Sequence, residues 1–327
     1  MRHGEFELIV TVLGEIAPAE LGPADCHEHL LIRGGLPIVL EPDFALDSVD
    51  AAVAEVGEFV AAGGRALVDC MPLGVGRDAR GLVEVAERSG AHVIATTGFH
   101  KDRYYAADHW VHTYSVEAIV ELLVAEFTEG LEVSGYGGPL VSRLTARAGA
   151  IKVATSGPIP TATELRLVEA AGHAQVRTGL PVLTHTDDAG SADVQLSVLT
   201  ACGVAPSSIV FGHMDRHASV AALAAICSTG ASVCLDWMGR HDRRPDSYIA
   251  DLVAALASAG YLEHVVLGQD LARRAYWHAY GGGPGLANLM ESFPALLHKA
   301  GLSDDQIDQV LVGNPRRVLN RTETPLA

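Results

Sequence analysis

Eight short apolar runs, mostly four to six residues long, alternate with longer segments of helical period, and this alternation restricts the architecture more than any other feature. The runs cover residues 24–29, 66–70, 92–97, 150–154, 181–184, 209–212, 232–236 and 265–269. Helical patterns fill 48–62, 79–89, 115–130, 161–178, 189–201, 218–228 and 248–259, with Ser48 and Ser115 as N-caps and Gly63 and Gly130 as stops. Eight strands that alternate with helices and are apolar on both faces predict an α/β chain folded as a closed parallel (β/α)8 TIM barrel. The competing doubly wound sheet lacks its usual mark, since no GxGxxG follows the first strand. The stretch 271–284, which contains GGGP, reads as a long loop after the eighth strand. No linker or repeat divides residues 1–327, so one barrel domain is expected.

In such a barrel the chemistry gathers at the C-terminal ends of the strands. The first run closes on DCHEHL, where His27 and His29 are two residues apart and so share one face. The fourth carries Lys152 in AIKVA, the fifth ends at His185 in LTHTDD, the sixth at His213 in VFGHMD and the eighth at Asp270 in VLGQD. Taken singly, each histidine reads as a loop or core residue and Asp270 as a cap. Jointly, four histidines, a lysine and an aspartate converge on one barrel mouth.

Lys152 says most. The chain has 3 lysines against 20 arginines, so cationic needs are met by Arg, and a lysine between Ile151 and Val153 in a strand is not ordinary surface charge. Burial disfavours an ammonium and favours the neutral amine. A neutral amine can add carbon dioxide to form a carbamate, whose two oxygens can bridge two cations; a guanidinium cannot.

Charge and composition exclude other classes. A net charge of −17 does not suit a nucleic-acid binder. No apolar run approaches the roughly 20 residues of a membrane span, and MRHGEFELIV lacks the order of a secretory signal. Five cysteines without CxxC spacing, with Cys70 and Cys234 in strand-like runs, suit a reducing cytoplasm and buried thiols better than disulfides.

The order HxH, Lys, His, His, Asp resembles the phosphotriesterase family of the amidohydrolase superfamily. The likeness runs nearly end to end, through VLGEIAPAELGPADCHEHL, ATTGFH, AIKVATSGPIPTATELRLVEAAGHAQVRTGLPVLTHT, IVFGHMD, VCLDW and VGNPRRVL. It implies a binuclear hydrolase in which His27, His29 and Asp270 hold a buried metal, His185 and His213 a more exposed one, and carboxylated Lys152 and a hydroxide bridge the two. Zn²⁺ suits nitrogen and carboxylate ligands, with Mn²⁺, Co²⁺ or Fe as alternatives. Asp270 would accept the proton of the attacking hydroxide and pass it to the leaving group. The resemblance also points to a homodimer acting on a small molecule.

The loops bear on the substrate. Phosphotriesterases of the family carry a His after the strand-seven Asp and an acid beyond the strand-six His as an outward proton relay; here Trp237 and Arg216 stand in those places. A lactone needs no such export, because its leaving alkoxide stays tethered. The segments LARRAYW and GRHDRRP bring Arg273, Arg274, Tyr276, Arg240, Arg243 and Arg244 towards the mouth, which suits an anionic substrate. Arg273, Tyr276 and either Arg243 or Arg244 are the candidates for a substrate phosphate. His100 follows TGF where family lactonases often place Tyr, which counts against acyl-homoserine lactones, while Tyr104 and Tyr105 are expected to pack the loop. The expected activity is therefore metal-dependent opening of a lactone, with an anionic sugar lactone, such as one bearing a phosphate, as the favoured substrate. The rivals are a promiscuous phosphotriesterase, an acyl-homoserine lactonase, a mononuclear deaminase of the superfamily, and a non-catalytic barrel that keeps its metals for binding.

Overall fold

The computed structural model describes residues 7–322, apart from 158, 188, 217–218 and 241–243. A short antiparallel hairpin, β1 (Ile9–Thr11) and β2 (Gly14–Ile16), comes first. It packs on the N-terminal side of the barrel, where the Val12 N–H donates to the Val93 carbonyl. The barrel strands follow: β3 (Ala24–Glu28), β4 (Ala66–Asp69), β5 (His92–Gly98), β6 (Ala150–Ala154), β7 (Val182–His185), β8 (Ile209–Gly212), β9 (Ser232–Leu235) and β10 (Val265–Leu267). All eight pair in parallel in sequential order. The seam between β10 and β3 is drawn together by the Gln269 and Asp270 N–H groups, which both donate to the His27 carbonyl. A Cβ at Gly268 would lie 2.7 Å from the Cβ of His27, so only glycine permits that approach. The expected (β/α)8 barrel is the fold.

Helices α2 (Val49–Ala61), α3 (Ala79–Ser89), α4 (Val116–Thr128), α5 (Ala162–Thr178), α6 (Ala189–Ala201), α7 (Val220–Cys227) and α8 (Asp246–Ser258) lie between the strands, and α1 (Gly35–Leu40) sits in the loop after β3. Ser48 and Ser115 cap α2 and α4 as expected, each accepting a backbone N–H three residues on. Four short helices, Asn288–Glu291, Phe293–Lys299, Asp304–Asp308 and Asn314–Leu319, close the chain. Inside the barrel, Cys26, Cys70 and Cys234 pack with Ala66, Val68, Ile94, Leu183 and Val266. All five cysteines are free, and burial pushes the Cys70 thiol up to about 12, so the three thiols inside the barrel act as small apolar fillers. No helix among the described residues is long and apolar enough to cross a membrane.

The loop expected after β10 holds two 3-10 turns, Arg274–Tyr276 and His278–Tyr280. Buried Glu55 of α2 anchors it by accepting the N–H groups of His278, Ala279 and Leu286. A carboxylate inside the fold is tolerable because its oxygens are spent on backbone donors. The anchoring fixes a loop that carries Arg273 and Tyr276.

Candidate metal centre

The strand ends deliver His27, His29, Lys152, His185, His213 and Asp270 to one cavity of about 270 Å³. His29 Nε2 lies 3.3 Å and His27 Nε2 3.9 Å from Asp270 Oδ1. Lys152, 1% exposed, brings Nζ to 3.2 Å from His27 Nε2. His213 Nε2 stands 2.6 Å from His185 Nδ1. Lys152 reaches this depth because β5 ends closely against β6: Gly98 has φ +100°, and a Cβ there would lie 2.0 Å from the Lys152 carbonyl oxygen. His213 and Asp270 adopt φ of 59° and 50°, a left-handed conformation uncommon outside glycine and concentrated at functional sites.

Hydrogen-bond partners assign the imidazole tautomers. Asp236, at the end of β9 and fully buried, accepts from His27 Nδ1 at 2.7 Å and from His213 Nδ1 at 2.8 Å. Asp187 accepts from His185 Nε2 at 2.9 Å. Each neutral ring has thus given its one proton outward, leaving His27 Nε2, His213 Nε2 and His185 Nδ1 as lone pairs facing the cavity. Two lone pairs at 2.6 Å repel. A cation answers that repulsion, so the residues present fit a metal, and His27, His29 and Asp270 form a set whose ligand atoms lie within 4.8 Å of one another.

Electrostatics agree. Burial, together with the charge of Arg216, pushes His213 down to about 3 against the pull of Asp236. Burial and neighbouring His213 hold His185 well below the usual histidine range, and burial with Lys152 lowers His27. Neutral imidazole is the form that binds metal. Burial alone would raise Asp270, but Arg240 beside it and a bond from His29 hold it well below the carboxylate range.

Asp215, two residues after His213, is driven up to about 7 by burial and by the charge of Asp236, while its Oδ2 accepts the Trp237 N–H. A carboxyl whose folded pKa is raised stabilises fully below its unfolded value near 3.8, and that stability is lost as pH rises through about 7. Asp215→Asn, which keeps the acceptor without the charge, should therefore raise the melting temperature of the metal-free protein more at pH 8 than at pH 4. Thermal melts across that range test it; a constant difference would contradict it.

The substrate-facing candidates divide. His100, Arg273 and Tyr276 line the cavity. Arg244 does not: it is exposed and stacks on Tyr248, 4.4 Å from the ring centre. Arg243 lies outside the described residues. Lys101 and Arg103, which follow His100 in the segment expected near the mouth, line the cavity too, as do Arg240 and Arg216. Arg240 had stood in the same arginine-rich loop with nothing to single it out. Asp236 and Asp187 carried no role in the sequence reading, although an acid closing the apolar run VCLD and another two residues after His185 were visible signals. Tyr105 packs as expected, its hydroxyl donating to the Leu73 carbonyl, and Tyr104 both packs and lines the cavity.

The phosphotriesterase family model matches residues 7–319. A phospho-furanose lactonase of Mycoplasmopsis synoviae is 35% identical over 94% of this chain and 90% of its own length. The crystal structure of an amidohydrolase from Mycoplasma synoviae superposes with a TM-score of 0.94 at 34% identity, covering 98% of this chain and 94% of that one. A phosphotriesterase homology protein from Escherichia coli, solved with phosphate in its active site, gives 0.82 at 28% identity over 92% and 99%.

Proposed function

The chain belongs to the phosphotriesterase family of metal-dependent hydrolases, and from that premise we propose that it opens a sugar lactone carrying a phosphate. The observation behind the proposal is the joining, in one cavity, of inward-facing imidazole lone pairs with five further cationic side chains, Lys101, Arg103, Arg216, Arg240 and Arg273. The name borne by the relative from Mycoplasmopsis synoviae agrees with it.

His27, His29 and Asp270 would hold one divalent cation, His185 and His213 a second, with Lys152, as its carbamate, shared between them; Zn²⁺ is the favoured ion. When bound, two such cations supply Lewis acidity that polarises the lactone carbonyl and lowers the pKa of water. The residues do the rest. Asp270 accepts the proton of the attacking water and delivers it to the ring oxygen as the acyl–oxygen bond breaks, so one water is consumed and a hydroxy acid is released. In the resting site it is ionised, with Arg240 beside it holding it below the usual carboxylate range. Asp236 holds His27 and His213 in the tautomer that points Nε2 inward. His100 accepts the Lys101 backbone N–H at Nδ1, 2.7 Å away, so its Nε2 carries a proton available to a substrate oxygen. Arg273 and Tyr276 are assigned to the phosphate.

The Arg216 guanidinium lies over Trp237, 4.7 Å from the ring centre, in the two positions where a relay acid and histidine would stand. That favours a tethered leaving group over a departing phosphoester alcohol. A panel of phosphorylated aldonolactones, neutral aldonolactones and paraoxon, assayed with and without Zn²⁺, tests the proposal. Phosphorylated lactones should lead in kcat/KM, and turnover should require metal. Paraoxon hydrolysed as fast as the best lactone would overturn it.

Asp236→Asn should weaken zinc binding by about 10–100-fold, the usual cost of losing the carboxylate behind a metal-binding histidine. Competition with a chromogenic chelator measures this, and an unchanged affinity would contradict the role given to Asp236.

A further inference from the structure

We infer that Arg240 is a latch on Asp270 that an anionic group of the substrate releases; the inference rests on the reading of the site as a hydrolase of phosphorylated lactones. The two carboxylate oxygens of Asp270 face different ways. Oδ1 looks towards His29 Nε2 and His27 Nε2. Oδ2 is covered by Arg240 Nη2 at 2.5 Å, with Arg216 Nη2 at 3.7 Å behind it. Arg240 also donates to the Asp270 carbonyl. The oxygen left over for proton transfer is therefore the one a guanidinium occupies.

Arg240 has the means to leave. Asp270 is its acid partner among the described residues, whereas Arg273 and Arg103 share Glu41, at 2.5 and 3.2 Å. The Nε–H groups of Arg240 and Arg216 are both buried with no partner among the described residues, donors in want of an acceptor. The guanidinium lies 5.8 Å from the Trp237 ring centre and 5.6 Å from that of Tyr276. These aromatic surfaces let it shift towards Arg273 and Tyr276 while keeping its cation–π contact. A phosphate offers the same fork geometry as the carboxylate it replaces, so the exchange keeps the cation paired and uncovers Oδ2. Binding energy from a remote, unreactive group would thus be used to expose the base. A neutral lactone has nothing to draw the latch.

Phosphite added to a neutral aldonolactone supplies the missing anion as a separate piece. With the zinc-loaded wild type, phosphite should raise turnover of the neutral lactone saturably, by about tenfold. Arg240→Gln should start near the phosphite-activated rate, respond no further, and show a raised KM for the phosphorylated lactone. Simple inhibition of the wild type by phosphite, or an Arg240→Gln enzyme with unchanged rate and activation, would overturn the latch. Calorimetry with inorganic phosphate on the metal-free protein tests it independently of turnover. Asp270→Asn should bind phosphate about tenfold tighter than wild type, and this gain should vanish when Arg240→Gln is also present. Equal tightening in both backgrounds would overturn the inference. A wild type that opens no lactone at all would contradict the proposed function, and the calorimetric cycle would still decide the latch.

Discussion

Asp270→Asn is expected to lower kcat for lactone opening by roughly 10²–10⁴-fold, the range lost with a positioned general base, while zinc content stays close to that of the wild type. The asymmetry follows from the two carboxyl oxygens. An amide oxygen can replace Oδ1, which faces His27 and His29, but an amide nitrogen in place of Oδ2 accepts no proton. Steady-state kinetics with metal analysis on the same preparation separates the two effects. Near-normal turnover would remove Asp270 from the chemistry, and joint loss of metal and turnover would make it a ligand alone.

Lys152→Ala is expected to act on the metal before the rate. Lys152 sits among apolar strand residues and faces His27, so its loss removes the only side chain proposed to serve both cations. The fall in zinc affinity should exceed the about 10–100-fold typical of a supporting residue, with turnover falling alongside. A short carboxylate such as propionate fits the space vacated by a carbamate and should restore part of both, whereas Lys152→Arg, unable to take up carbon dioxide, should gain nothing from it. Full metal content and activity in Lys152→Ala would eliminate the carbamate.

The barrel was legible because parallel strands covered on both faces leave runs such as AIKVA and IVFG, which cannot be amphipathic helices. All eight strands fall where those runs predicted, within a residue or two at their ends. The hairpin Ile9–Thr11 and Gly14–Ile16 escaped notice because three-residue strands leave no period to count. Helix Gly35–Leu40 begins with glycine and holds a proline, a composition that reads as loop.

The site was legible to the extent that its residues sit on strands. His27, Lys152 and His185 inherit their direction from the alternation of a regular backbone, whereas His213 and Asp270 stand just past their strands in left-handed conformations. Loop residues inherit nothing of the kind. Arg240 and Arg244 lie four positions apart in one polar segment, yet one turns inward onto Asp270 and the other outward onto Tyr248. That choice depends on tertiary surroundings, namely the Trp237 and Tyr276 rings that receive Arg240. Asp236 was passed over for a different reason: its importance lies in touching two histidines that are 209 and 23 residues away in the chain.

The most direct test of the whole account is a crystal structure of the protein purified with zinc and bicarbonate, with an anomalous map collected at the zinc edge. Two peaks are predicted, one among His27, His29 and Asp270 and the other beside His185 and His213, with density for a carboxylated Lys152 reaching both. A single peak, or a bare Lys152 side chain directed away from the metal, would contradict it.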